Sequence, residues 1–434
     1  MIPDAPTPAT KTGLAAWCFY DWANSAFPTV IVTFVFAAYF TKGVAPDEIA
    51  GTAMWGQAMG WSALIVAVLS PFLGAVADRS GRRKPWLFAW TAICVVASAS
   101  LWIVSPDPGM AMTALILVAL ANIGFEVGMV FYNAMLPDIS PSDKIGRISG
   151  WGWGLGYLGG LVCLALVLVL FVQTEPPLFG LDKDAAEHVR IAGPFVAVWM
   201  VVFSLPLFLL TPDRAATGVS TLAAARKGWA DLVATFKAAR RHAVVFRFLI
   251  ARMIYTDGLN TLFAFGGIYA AGTFGMEFAD LIIFGIGMNV TAGAGATAFA
   301  WLDDRWGPLR VIYVSLIALT ILGAAILVVS DITWFWIIGL SLGVFVGPAQ
   351  AASRSLMARI APPSIRTEMF GLYALSGKAT AFLGPMLVGA LTAAAASQRV
   401  GMSAVLIFFV VGGLMLFFSV GRRISDTREE PTQV

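Results

Sequence analysis

The residues of this chain with the means to do chemistry are few, and they stand where charge is most expensive. Asp21 and Asn24 lie inside the first long apolar run, spaced i, i+3 on one helix face. Asn122, Glu126 and Asn133 share a face of a later run, and Asp257 and Asn260 repeat the Asp-x-x-Asn spacing in a third. Gln350 and Arg354 sit in another run, and Lys378 lies about ten residues into the next. A charged side chain at the centre of a bilayer costs at least about 3 kcal/mol on insertion scales, so it persists where it meets a partner or a water-filled cavity. Three acids and one base at comparable depth predict a polar site within a membrane. Lys378 then serves either as a permanent counter-ion or as the cation that takes a solute carboxylate. Asp21, Glu126 and Asp257 either hold helices together or take up and release a proton, and with several such groups nearby the titration belongs to the cluster.

The rest of the chain has to position these groups. Of 434 residues, 59% are hydrophobic and only 12% charged, about half the charge of a soluble domain. Mean hydropathy is +0.82. Continuous apolar runs argue for membrane-spanning helices and against a β-barrel. Twelve runs are read, near 14–40, 55–77, 86–104, 111–135, 148–172, 191–210, 246–271, 278–301, 309–329, 333–357, 368–393 and 402–420. The first is too long for a signal-peptide core and is read as a retained span.

Alternate connections carry the basic residues. One set holds Arg79, Arg82, Arg83 and Lys84, then Lys144 and Arg147, then Arg226 to Arg241, then Arg305, Arg310, Arg359, Arg366, Arg422 and Arg423. The opposite set holds little beyond Lys42, Lys183, Arg190 and Arg399. The positive-inside rule puts the first set and both termini in the cytoplasm, and a bacterial inner (plasma) membrane is expected. In the long connection 211–245, Trp229, Leu232, Val233 and Phe236 fall at i, i+3, i+4, i+7, the pattern of an amphipathic surface helix. It divides an amino-terminal six-helix half, 1–210, from a carboxy-terminal half with a short tail, 246–434.

The halves repeat one another. Gly74, Asp78, Arg79, Gly81 and Arg82 follow the second run, and Asp304 and Arg305 follow the eighth. Such repeats suit a transporter with its site at the interface of the halves. The order Gly-x-x-x-Asp-Arg-x-Gly-Arg-Arg resembles the cytoplasmic loop signature of the major facilitator superfamily. By that resemblance these seven residues gate the pathway, Asp78 capping or pairing with the opposing half in one state and releasing it in the other. Four further stretches strengthen it: Tyr20 to Ala26, Gly154 to Gly160, Asp257 to Thr261 and Gly377 to Pro385. Together they resemble the bacterial "unknown major facilitator" family, related to the fungal autophagy-linked vacuolar amino-acid effluxers. The resemblance covers nearly the whole chain and implies amino-acid export. In the general plan of this superfamily helices 1, 4, 7 and 10 line the cavity, so the acids of the first, fourth and seventh runs are expected to point inward.

Other features have simpler expectations. Gly152, Gly156 and Gly160 form a row for close helix packing. Pro28, Pro71, Pro348 and Pro385 kink helices. Trp17, Trp22, Trp86, Trp151 and Trp153 anchor at the interfaces, with Trp22 of added interest beside Asp21. Arg354 snorkels or closes an inner gate. Cys18, Cys94 and Cys163 are small core residues, and His188 and His242 lie apart, which argues against a metal site. No Gly-x-x-x-x-Gly-Lys-Ser/Thr loop and no nucleophile–base–acid set is present, so neither an ATP-driven pump nor an enzyme is expected, and no cofactor. The net charge of +3 gives no sign of nucleic-acid binding. The expected partners are a small polar solute, protons and the lipid bilayer, with a monomer as the default. The favoured reading is an all-α polytopic membrane protein of twelve helices that moves its solute by alternating access, coupled to protons. The alternatives are amphiphile or multidrug efflux in the same fold, and a non-transporting membrane receptor or assembly protein.

Overall fold

The computed structural model describes residues 9–219, 242–276 and 278–418. Twelve helical passes run through these residues. They are α1 (Lys11–Val44), α2 (Glu48–Ser80), α3 (Lys84–Ser100), α4 (Ala111–Ile139), α5 (Ile145–Val172) and α6 (Ala192–Leu210). Then come α7 (Ala243–Phe274), α8 (Phe278–Trp306), α9 (Pro308–Val328), α10 (Ile332–Ile360), the two pieces α11a (Arg366–Ser376) and α11b (Leu383–Ala395), and α12 (Gln398–Leu416). The stretch expected to form the amphipathic linker helix, Trp229 to Phe236, lies outside the described residues. Ten helices among the described residues are long and apolar enough to span a bilayer. The other two passes are the chemically interesting ones. α7 carries Arg247, Arg252 and Asp257, and α11 is broken.

That break corrects the expectation of one continuous helix with Lys378 inside it. α11a ends at Ser376 and the chain turns tightly through 377–382, where Gly377, Lys378 and Ala381 bond back three residues. Pro385 explains why the helix does not run through. It has no N–H for the carbonyl four residues earlier, and its ring crowds that carbonyl. α1 is not uniform either. After Asn24, with Pro28 interrupting its ladder, it widens into π-helical turns in which Val35 bonds to Val30.

The packing brings two sets of helices together chiefly through α2 on α11a and α5 on α8. α5 presents glycine on two faces. Gly152, Gly156 and Gly160 meet α1, while Gly146, Gly150 and Gly154 meet α8. A methyl group on Gly150 would lie 2.5 Å from Ala300 Cβ, and one on Gly74 of α2 would lie 2.6 Å from the Thr367 carbonyl. Absence of side chains is what lets these backbones approach. The outer faces carry exposed Ile116, Val198, Leu209, Ile317 and Ile321, a surface suited to lipid.

Candidate functional site

α1, α4, α5 and α10 converge on a buried ion pair. Arg354 Nη1 donates to Asp21 Oδ2 at 3.0 Å, and the two side chains are 2% and 7% exposed. The rest of the guanidinium is also occupied. Its Nε donates to Ser149 Oγ at 2.9 Å, Nη2 to the Ser149 carbonyl at 2.6 Å, and Nη1 also to Asn133 Oδ1 at 3.4 Å. Trp17, Tyr132 and Trp153 present rings to it at 5.1, 5.8 and 5.6 Å. Trp17 and Tyr132 stack on each other at 4.3 Å. Burying two charges is tolerable here because nearly every donor of the guanidinium has an acceptor. Gly152 leaves room for the pair, since a Cβ there would stand 2.5 Å from Asp21 Oδ2.

Three expectations change at this point. Arg354 does not snorkel, being 1% exposed; Asp21 and the surrounding rings hold it inside. Trp17 is no interface anchor but a core residue at 0% exposure, because it covers that arginine. The counter-ion of Asp21 is Arg354, not Lys378. Trp22 faces away from the pair and stacks on Trp199 of α6 at 5.6 Å.

Lys378 instead reaches across from the α11 break to Glu126 of α4, Nζ to Oε1 at 2.7 Å. This pair is partly accessible, 33% and 20% exposed. Close by, Asn260 of α7 approaches the Gly377 carbonyl at 3.4 Å and is itself exposed. Tyr157 of α5 donates to Gln350 of α10 at 2.6 Å. Asn24 is buried against Met129, Nδ2 to Sδ at 3.0 Å. Asn122 turns to Ser62 of α2, a bond between neighbouring helices and not into an open space. Asp257 is 1% exposed, and neither of its oxygens has a hydrogen-bond partner of normal geometry among the described residues.

The basic end, where Arg83, Arg147, Arg359 and Arg366 gather, is drawn shut by two matching devices. Asp78 of α2 accepts from the Thr367 hydroxyl at 2.6 Å and the Glu368 N–H at 2.9 Å, capping α11a. Asp304 of α8 accepts from the Gly146 and Arg147 N–H groups at 2.9 and 3.1 Å, capping α5. Each places a carboxylate on the positive end of a helix from the other set. Arg83, 1% exposed, ties the first device together through Thr367, the Ala134 carbonyl and Asp138. Arg359 ties the second to the Ser142 carbonyl and to Asp303 and Asp304. Gly81 has φ +88°, and its bare Cα meets the Ala215 carbonyl, where a Cβ would be 2.3 Å away. Arg82 and Arg305 are exposed, so the buried arginine of the first loop is Arg83 and the second carboxylate of the other is Asp303. The Arg79 carbonyl accepts from the Thr217 hydroxyl.

Residues 43–427 match the family described as "Vacuole effluxer Atg22 like". The chain belongs to this family. The Bacillus subtilis (strain 168) protein described as an uncharacterized MFS-type transporter, YxiO, is 26% identical over 422 residues, 96% of each chain. Autophagy-related protein 22 of Saccharomyces cerevisiae is 28% identical over 279 residues, and the match spans 56% of this chain and 51% of the yeast protein. Among solved structures, the proton:xylose symporter XylE superposes with a TM-score of 0.73 at 13% identity, covering 94% of this chain and 95% of its own. The fold is that of the major facilitator superfamily, and the chain is a multi-pass membrane protein.

In this Atg22-like chain, several working residues are ones that pattern reading passed over. Arg214 lies just beyond α6 and binds Asp138 at 2.8 Å while reaching the Pro363 carbonyl at 3.3 Å. Asp213 beside it accepts from the N–H groups of Arg83 and Lys84, capping α3. An Asp-Arg pair right after a span was the signal for both. Arg252 had a plainer one, a base within an apolar run. It bonds the Tyr373 carbonyl and Ser376 Oγ, both at 2.7 Å, with the Tyr373 ring at 3.5 Å.

Proposed function

We propose that this protein is a proton-coupled secondary transporter of a small polar solute, favouring amino acids, that works by alternating access. The observation that carries the reading is the Glu126–Lys378 pair. It joins α4 to the α11 break, and it remains partly accessible where the deeper Asp21–Arg354 pair is sealed. A proton on Glu126 frees Lys378 to take the carboxylate of a solute, and departure of the solute restores the pair. Protonation and solute binding are thereby linked through one bond, as coupling requires. The family description as an effluxer and the proton symport of the XylE relative in fold support transport.

The moving units are residues 1–210 and 246–434, and the basic end faces the cytoplasm of a bacterial plasma membrane. With Asp78 and Asp304 both capping the opposing set, the cytoplasmic side is closed and the solute path leads outward. Opening inward requires the Asp78–α11a and Asp304–α5 contacts to part. An apolar pocket lined by Leu262, Phe284, Met288, Phe335 and Phe409 would suit an amphiphile. It lies among α7–α10 and α12 and not between the moving units, which favours the polar solute.

The test is flux in proteoliposomes loaded with a panel of labelled amino acids, with and without an imposed proton gradient. Gradient-stimulated flux, abolished in Glu126→Gln and Lys378→Met, is the expected result. Flux of apolar dyes that no amino acid competes with would replace this reading by amphiphile efflux.

A further inference from the structure

Asp257 poses a problem that its neighbours do not solve. It is a carboxylate buried in α7, and both oxygens lack a hydrogen-bond partner of normal geometry among the described residues. It forms no ion pair among them. Two basic side chains, one on α7 and one on the α11 break, are committed elsewhere. Arg252 of α7 holds the Tyr373 carbonyl and Ser376, and Lys378 of the α11 break holds Glu126. From α12 the packing at this level is Phe408 and Phe409 against Gly258. From α10 it is Ser353, bonded to Tyr255 at 2.7 Å, while Arg354 is bound to Asp21. On α8, Asp303 and Asp304 are engaged by Arg359 at the basic end. A bare ionised carboxylate does not persist in such a setting; it takes a cation.

A hydroxyl from the opposite side of the break meets this carboxylate. Thr380, on the turn that interrupts α11, presents its buried hydroxyl to the Asp257 carboxylate, and among the described residues that hydroxyl has no hydrogen-bond partner of normal geometry. Thr261, one helical turn beyond Asp257, donates to the Asp257 carbonyl at 2.6 Å and so keeps its oxygen lone pairs available. It also packs on Gly384 at the start of α11b, where a Cβ would be 1.8 Å from its Oγ1. A carboxylate and two hydroxyl oxygens beside a broken helix are hard oxygen donors, the kind that coordinates a small cation at such breaks.

We propose that Asp257, Thr380 and Thr261 form a binding site for a small monovalent cation, a proton or Na⁺, separate from the Glu126–Lys378 pair. Occupancy fixes α7 against the turn 377–382, and that turn carries Lys378. The cation therefore sets the position of the lysine that meets Glu126. Its role in coupling rests on the transport reading, but the site itself does not.

Thermal unfolding of the purified full-length protein in detergent tests the site without any solute. One arm titrates NaCl against choline chloride at constant ionic strength and alkaline pH. The other varies pH in choline chloride alone. A sodium site gives a saturable rise in Tm with NaCl only, and Thr380→Val weakens its midpoint about tenfold. A proton site gives no sodium effect, and a Tm that falls as pH rises, because the folded state then loses a proton it needs. Asp257→Asn abolishes whichever dependence the wild type shows. Asp257→Glu, which keeps the charge, retains it with a shifted midpoint and serves if the asparagine variant does not fold. Identical sodium and pH responses in wild type and Asp257→Asn overturn the proposal. Loss of amino-acid flux with these responses intact would instead count against the transport reading alone.

Discussion

Asp21 and Asp257 occupy the same place in two copies of one spacing, Asp-x-x-Asn, in helices α1 and α7. Asp21 meets an arginine from the opposite set of helices, and that arginine is gripped by Ser149, Asn133 and three aromatic rings. Asp257 meets no opposite charge among the described residues, although it is buried as deeply. Their asparagines diverge in the same manner. Asn24 is sealed against Met129, while Asn260 is exposed beside the α11 break. The repeat thus preserved the residue types and let the partners change. One copy has become a clamp between α1, α5 and α10, and the other keeps a polar group uncommitted. A transporter needs both, a rigid element to carry the motion and an adjustable one to respond to its ligand.

The largest expected effect comes from breaking the clamp. Arg354→Met leaves Asp21 buried without its partner and should cost about 3–5 kcal/mol of stability. Asp21→Asn should do comparable damage, and the double variant should be more stable than either single one. Asp257→Asn, the matching change in the other copy, should leave stability unchanged or raise it in sodium-free alkaline buffer, where the proposed cation site is empty and the charge uncompensated. Chemical or thermal unfolding in detergent compares the four. Equal losses for Asp21→Asn and Asp257→Asn would erase the distinction between the copies.

Gly152→Ala sharpens the comparison by leaving every charge in place. Its methyl would enter within 2.5 Å of Asp21 Oδ2 and 2.9 Å of Arg354 Nη2. Overpacking of this kind costs about 1–3 kcal/mol. Gly389→Ala, where a Cβ meets nothing within 4 Å, is the control and should be nearly silent. A stable Gly152→Ala protein would mean that the clamp is looser than its packing implies.

These contrasts also mark what sequence reading reached. The twelve passes were legible because apolar runs and alternating basic connections are local signals. So was the kinship of Asp78 and Asp304, since both stand at the same point of a repeat. The partner of Asp21 was not. Arg354 lies six residues from the end of α10, roughly 9 Å along the axis, a depth from which a long side chain ordinarily reaches the interface. Its contacts with Asp21, Ser149 and the surrounding rings keep it in, and no local pattern encodes them. The α11 break did have a signal, Gly377 followed by Gly384 and Pro385, but the apolar run around it reads as continuous. Asp303 was masked by the more familiar Asp304-Arg305 pair beside it.

The Glu126–Lys378 pair separates stability from function. As a partly exposed pair it should contribute no more than about 1 kcal/mol, so Lys378→Met should unfold within a few degrees of the wild type. Under the transport reading the same variant should lose amino-acid flux. A large stability loss instead would make Lys378 a second clamp, and the pair could no longer serve as the adjustable element.

The asparagines give the smallest effects and the finest test. Asn260→Ala removes an exposed side chain whose hydrogen bond to the Gly377 carbonyl is long, and its stability should stay within about 0.5 kcal/mol of the wild type. Asn24→Ala opens a buried position and loses a bond to a thioether, a weak acceptor, so about 0.5–1.5 kcal/mol is expected. The order matters more than the size. If Asn260 faces solute while Asn24 serves packing, solute affinity should follow the opposite order, with Asn260→Ala raising the KM for flux and Asn24→Ala leaving it unchanged. A shift of KM in Asn24→Ala alone would place the adjustable face in α1, and the division of labour between the two copies would have to be reversed.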